Sequence, residues 1–264
     1  MGYISLLEEI KKTITNTEEL KNRYSIKYPN TKYRLEDIVK ELIYVLKSGI
    51  SWNLLRSKIN WKTLYWHYTE FVKYKIFERT YTKIRNKYIK LTSQNKQYIL
   101  IDTSIIDNKY GINKIGRNKF YKNKKVTKMS LMADENGFPL SILFMKGNKH
   151  DNDGFNNHLR DILILKIKNV KVLADKAYSS KNNYELLEKY GMGHIIPPRK
   201  NMKIYKSYKY CKKIYAKRIK IENIFGILKN YKRLRIRYDK LLRNYRGFLF
   251  LGILCLSVNL FNKL

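Results

Sequence analysis

The chain has 264 residues, 44% of them hydrophobic, which suits one or two domains with well-buried cores. Its 56 Lys and Arg against 21 Asp and Glu leave a formal charge of +35, a field that concentrates polyanions such as nucleic acid, although Lys, Asn, Ile and Tyr all have A/T-rich codons and part of the excess can reflect them. With 23 Tyr, 10 Phe and 3 Trp this is not a disordered basic tail, and two cysteines, Cys211 and Cys255, argue against a disulfide scaffold or a Cys-rich zinc module.

Residues 1–13 mix acids and lysines and lack the apolar stretch of a secretory signal. Apolar residues then recur at Leu35, Ile38, Val39, Leu42, Ile43 and Leu46, the spacing of an amphipathic helix, with Glu36 and Asp37 in its first turn and Gly49 beyond its end. A short helix over 52–59 is expected to follow. A second long helix is expected from Trp61 to Ile76, its outer face carrying Lys62, Thr63, His67 and Lys73. This order fits a helix-turn-helix DNA reader, with Lys62, Thr63 and His67 as the DNA contacts, and equally an ordinary helical bundle with solvated lysines. A linking helix is expected over 81–91.

The period then changes. Residues 98–101 form a continuous apolar run ending at Asp102, which reads as a buried strand. Stretches 126–133 and 138–145 flank Asn136-Gly137, a hairpin signal. Beyond them come a helix near 155–165, a strand over 170–174 ending at Asp175, a helix at 184–189, a strand at 194–196 stopped by Pro197-Pro198, and a basic loop over 199–213. A hairpin followed by alternating helices and strands indicates an α/β domain with a mixed sheet. The apolar segment 248–261, at 14 residues, falls short of the roughly 20 that span a bilayer and reads as a buried core helix, so a soluble intracellular protein without a membrane partner is expected.

Three carboxylates stand out. Asp102 and Asp175 each close an apolar strand and would project from a rigid sheet, although an Asp there can also be a simple helix cap. Glu222 is the sole acid between Lys189 and Tyr238, and residues 199–246 hold 18 Lys and Arg against two acids. Its ordinary reading is an ion-pair partner. On a single helix, however, Tyr215, Arg218, Glu222 and Lys229 fall within a sector of about 60°, beside a stripe of Ile214, Ile221, Ile224, Phe225 and Leu228, so the helix would pack by one stripe and line a groove with the next. Asp107 and Asp134 suit structural roles, and His150 and Asp151 a loop or cap role. Lys114, Arg117, Lys119, Lys122, Lys124, Lys125 and Lys128 read as a basic tract that tracks phosphates or is merely solvated.

Tyr215, Arg218, Glu222 and Lys229 reproduce the Tyr-x2-Arg-x3-Glu-x6-Lys signature of DDE transposases of the insertion sequence four and five families, which the chain resembles over nearly its whole length. Residues 33–79, with Gly49-Ile-Ser-Trp52 and Trp61, are similar to the amino-terminal helical domain of the insertion sequence five group. Ile101-Asp102-Thr-Ser, Lys128 with Ala133 to Leu140, Gly147 with His150-Asp151, Asp175-Lys-Ala-Tyr178, and Arg235 with Tyr238 resemble further family blocks. The resemblance implies a ribonuclease-H-like mixed sheet with flanking helices over 93–264, preceded by a small all-α helix-turn-helix-like domain over 1–92. It implies that Asp102, Asp175 and Glu222 are catalytic and bind two Mg²⁺ or Mn²⁺ ions, and that Tyr215, Arg218 and Lys229 hold DNA phosphates. Terminal inverted repeats, target DNA and a second copy of the chain would be the partners. Attack by water would nick a transposon end, and attack by a 3′-hydroxyl would transfer the strand. The rival expectation is a domesticated or inactive relative that binds DNA without cutting it.

Overall fold

The computed structural model describes residues 5–24, 32–92, 97–200 and 209–263; residues 201–208 of the expected basic loop lie outside them. In chain order the first elements are α1 (Leu6–Thr15), α2 (Glu18–Lys21), α3 (Leu35–Ser48), α4 (Trp61–Lys73) and α5 (Ile76–Thr92). Then follow β1 (Tyr98–Asn108), β2 (Gly116–Asn118), β3 (Lys124–Asp134), β4 (Pro139–Lys146), α6 (Phe155–Ile164), β5 (Lys171–Ala174), α7 (Lys181–Lys189) and β6 (Gly193–Ile195). The last are α8 (Lys212–Tyr215), α9 (Ile219–Asn230), α10 (Lys232–Arg235), β7 (Ile236–Arg237) and α11 (Leu242–Phe261). They form two compact units, one of Met1–Lys87, Lys109–Asn113 and Leu228–Leu264, the other of Tyr88–Asn108 and Lys114–Ile227.

The first unit is helical. α3 buries Ile38, Val39, Leu42, Val45 and Leu46 and ends at Gly49, whose left-handed backbone (φ 67°) lets its amide bond to the carbonyl of Val45. A Cβ on Gly49 would lie 2.8 Å from Cβ of Lys232, so α10 approaches this helix end as only glycine permits. Two expectations need correction here. The 52–59 segment contains only a 3-10 turn, Trp52–Leu54, and the helix expected to run through Ile76 stops at Lys73. Lys75 takes a positive φ of 53°, which breaks the helix and lets α5 restart with Ile76 fully buried.

α11 is 20 residues long because it begins at Leu242, six residues before the apolar run. It is the one described helix long and apolar enough to cross a membrane, and 72% of its most apolar window is buried within the protein. Phe248 stacks on Tyr68 at 4.3 Å, with Trp52 a further 5.9 Å neighbour, so α11 serves as a core helix.

The second unit is α/β, as the alternation of periods predicts. The strand path runs β2-β3-β1-β5-β6, and β4 pairs with β3. β1 is antiparallel to β3 and parallel to β5, and β5 is parallel to β6. The hairpin between β3 and β4 turns at Gly137 (φ 84°). Asp134 there is fully buried, accepting from the amides of Asn136 and Phe138 and from the Tyr88 hydroxyl, which makes it a structural carboxylate. His158 of α6 is likewise buried, joined through its two ring nitrogens to Ser130 of β3 and Ser141 of β4.

β1 exceeds the expected strand. It continues to Asn108 because β3 stays paired with it as far as Asp107↔Val126, leaving Asp102 inside the strand and not at its end.

Candidate active site

The parallel register pairs Ile99 with Val172, Leu100 with Leu173 and Ile101 with Ala174, where the pairing stops. Asp102, inside β1, and Asp175, just past β5, are the next residues, so two carboxylates come side by side at the carboxyl end of β5. The apolar runs before them are fully buried and fix the backbone that carries them. Asp175 also accepts from the amide of Ala177, capping a 3-10 turn, Lys176–Tyr178.

Asp102 is mostly buried. Its Oδ2 accepts from the guanidinium of Arg218 at 2.9 Å and its Oδ1 from the amide of Thr103 at 2.8 Å. Burial raises its pKa; Arg218 and the Thr103 amide oppose this, while the charges of Asp175 and Asp151 add to it. Burial disfavours the Arg218 charge in turn, but Asp102 and Tyr215 more than offset it and its pKa is raised. Arg218 also donates to the Tyr215 hydroxyl at 2.9 Å, and its Nε is buried with no partner among the described residues.

The segment carrying these residues is not one helix, which corrects the single-face expectation. α8 ends at Tyr215, the chain tightens to a 3-10 turn over Ala216–Arg218, and α9 begins at Ile219. Lys217 pins this turn by pairing with Glu135 at 3.1 Å and lying over the Tyr98 ring. Ile221, Ile224 and Phe225 bury the inner stripe, while Glu222, in the first turn of α9, is exposed and makes no ion pair among the described residues. Its ordinary reading as an ion-pair partner therefore lapses. Among the described residues no three of His, Cys, Asp and Glu form a group placed to hold an ion. Lys229, half-buried, belongs to the helical unit.

Two expected DNA contacts are placed elsewhere. His67 is 2% exposed; its Nδ1 hydrogen-bonds the Tyr24 hydroxyl, its ring meets Trp66 edge-on, and burial lowers its pKa to about 4, so it is a core histidine. Lys128 is 9% exposed, with Nζ donating to Asp151 Oδ1 at 2.7 Å and to the carbonyl of Lys149 at 2.8 Å, which commits its charge internally. Lys62 is exposed and Thr63 half-buried at the start of α4. Two residues near the site were given no role of their own by the sequence reading. Arg199 donates to the carbonyls of Lys176 and Ala177, gripping the turn after Asp175, and only its adjacency to Pro197-Pro198 hinted at a fixed place. Tyr178, in the Asp175-Lys-Ala-Tyr178 block, is buried, and Asp102 and Asp151 add to the burial that raises its pKa.

A family model described as a transposase DDE domain matches residues 93–260. Among solved structures, the piggyBac transposase synaptic complex with hairpin DNA superimposes with a TM-score of 0.54 at 11% identity, covering 98% of this chain and 72% of that one, a likeness of fold. The Mos1 transposase paired-end complex with left transposon end, also at 11% identity and covering 89% and 81% of the two chains, gives only 0.29 and adds no weight. No curated protein sequence matches. The sheet with its flanking helices is thus similar to the ribonuclease-H-like folds of transposases, and the match over most of the chain makes this protein a member of the DDE transposase family.

Proposed function

We propose that the protein binds the terminal inverted repeats of a DNA element, cleaves phosphodiester bonds at those ends and joins them to target DNA. The observation that supports this most is the seating of Asp102 beside Asp175 by the β1–β5 register, with Arg218 on Asp102. Two hard-oxygen donors on rigid neighbouring strands, one already holding a cationic group, fit Mg²⁺ or Mn²⁺. Glu222 is exposed and unpaired among the described residues, which leaves it open to complete the set. Two such ions, when bound, would activate the attacking oxygen and stabilise the leaving oxygen of an in-line displacement.

The chain's own side chains divide the remaining work. Arg218 offsets the burial of Asp102 and, by its charge and planar fork, would hold a phosphate beside it. Tyr215 orients Arg218 through its hydroxyl and borders the same phosphate, while Lys229 supplies a point charge. Residues 1–92, with Lys62 and Thr63 outward, would read the repeats and residues 93–264 would cut. A homodimer would pair the two ends.

The test is cleavage of end-containing DNA by purified protein with Mg²⁺ or Mn²⁺. Asp102→Ala, Asp175→Ala and Glu222→Ala are each expected to abolish cutting and largely retain binding. Undiminished cutting by any one removes that residue from the site.

A further inference from the structure

Two of the chain's three tryptophans meet at one cavity of the helical unit. Trp61 opens α4 and Tyr65 follows it one turn later, so both rings project from one face of that helix. Trp52, in the 3-10 turn before α4, sets its ring edge-on to Tyr65 at 5.1 Å. Asn244 of α11 donates to the Tyr65 hydroxyl at 3.3 Å and fixes that ring further. These three half-buried aromatics, with Tyr238, which is 41% exposed, line a cavity of about 400 Å³, within the roughly 300–1,000 Å³ of small-molecule sites.

The polar wall of this cavity is incomplete. Arg233 and Asp239 line it and pair at 3.0 Å, each more than nine-tenths buried. Asp239 Oδ2 and Arg233 Nε are left buried with no partner among the described residues, one acceptor and one donor. Lys240 adds an exposed ammonium group to the lining. Together these features select the ligand. A plain hydrocarbon would leave both orphaned atoms unpaired. An organic cation would seek the ring faces, but Arg233 already lies over Trp52 at 5.7 Å and Lys240 adds a second positive charge. A nucleotide answers every feature: a flat base for the aromatic walls, a donor and an acceptor on the base edge, and phosphate for Lys240. A base inside duplex DNA has its faces stacked and its edge paired, so the form that fits is a free mononucleotide.

We propose that the cavity walled by Trp52, Trp61, Tyr65 and Tyr238 binds a free nucleotide, its base edge on Asp239 and Arg233 and its phosphates toward Lys240. The site belongs to the helical unit, whereas Asp102, Asp175 and Glu222 belong to the sheet unit, and it does not rest on the cutting function. The experiment titrates the full chain, without DNA or divalent metal and at fixed salt, with ATP and with inorganic tripolyphosphate, by calorimetry and by tryptophan emission. The tripolyphosphate arm measures what the charge of the chain attracts on its own. ATP is expected to bind one site more tightly than tripolyphosphate and to quench emission, which tripolyphosphate leaves unchanged. Trp61→Ala and Tyr238→Ala should each lower ATP affinity about tenfold without altering tripolyphosphate binding, and Trp61→Phe should keep most of it. Tyr238 is the more exposed of the two, so Tyr238→Ala decides the matter if Trp61→Ala unfolds. Equal affinity for ATP and tripolyphosphate, or wild-type ATP binding by folded Tyr238→Ala, overturns the proposal and leaves the cutting function untouched.

Discussion

One polar cluster in each unit is used in the opposite way to the other. In the sheet unit, strand register carries Asp102 and Asp175 to one edge, and the groups around them, Arg218, Tyr215 and the Thr103 amide, face that edge. In the helical unit the polar groups turn inward. Arg233 and Asp239 pair at 3.0 Å with both side chains buried, and fully buried Arg237 donates to the carbonyls of Asn113, Asp239 and Lys240, tying loop to loop. Register therefore builds the edge proposed to be reactive, whereas helix packing absorbs charge into scaffolding. The same residue type means different things in the two places, and the comparison can be broken from either side.

The largest effect is expected at the reactive edge. Asp102→Asn and Asp175→Asn preserve shape but lose a hard anionic ligand, and at Asp102 also one of the two acceptors that Thr103 and Arg218 use, and each should lower Mg²⁺-dependent cleavage at least about 100-fold with DNA affinity little changed, measured by single-turnover cutting and by binding. A comparable loss in Arg237→Lys without loss of thermal stability would show that the helical unit contributes chemistry and would dissolve the contrast.

Next in size is Arg218. Its removal leaves Asp102 largely buried without its cationic partner, a change of about 3 kcal/mol for a broken buried pair. The folded pKa of Asp102 is raised, so the penalty in Arg218→Ala is full at neutral pH and fades as acid protonates the carboxyl. Added Mg²⁺ should also restore more thermal stability to this variant than to wild type. A melting curve insensitive to both pH and Mg²⁺ would mean that the pair contributes little.

These predictions rest on features that were unequally legible in the sequence. The runs before Asp102 and Asp175 are short, continuous and apolar, so the buried parallel strands showed plainly. The continuation of β1 through Thr103 to Asn108 did not, because its polar residues are held in the strand by pairing with β3 and not by their own burial. The spacing of Tyr215, Arg218 and Glu222 was readable, but the 3-10 turn between them depends on Lys217 reaching Glu135, 82 residues away. Lys128 and His67 look like surface residues until Asp151 and Tyr24 are brought to them by the fold. Local pattern reports periodicity; the burial of these two polar groups is explained by partners that lie far along the chain.

Of the two buried histidines, one lies in each unit, His67 among the helices and His158 behind the sheet. Burial lowers their pKa values to about 4 and about 3, so both are neutral in the folded protein and take up a proton when it unfolds. Their stability contribution is complete above about pH 6.5 and falls as pH drops toward 4, by roughly 3 kcal/mol for His67. Denaturant melts of His67→Gln and His158→Gln across this range should each flatten the slope by one histidine's share. An unchanged slope in His67→Gln would return that residue to the surface role its helical position first suggested.

The smallest effect separates two neighbours on α4. Lys62 is exposed with its backbone amide taken up by the Asn60 cap, so Lys62→Ala removes charge without touching the core and should move stability by less than about 0.5 kcal/mol. If it meets a phosphate, DNA affinity falls uniformly across sequences and the slope of log affinity against log salt drops by about one. His67, five residues further along the same helix, should do the reverse: His67→Ala costs stability through the lost Tyr24 and Trp66 contacts and leaves the salt slope alone. Measuring both slopes on one duplex distinguishes an outward DNA-facing edge of the helical unit from an inward structural one, and a salt slope unchanged by Lys62→Ala would confine the DNA-binding charge to other surfaces.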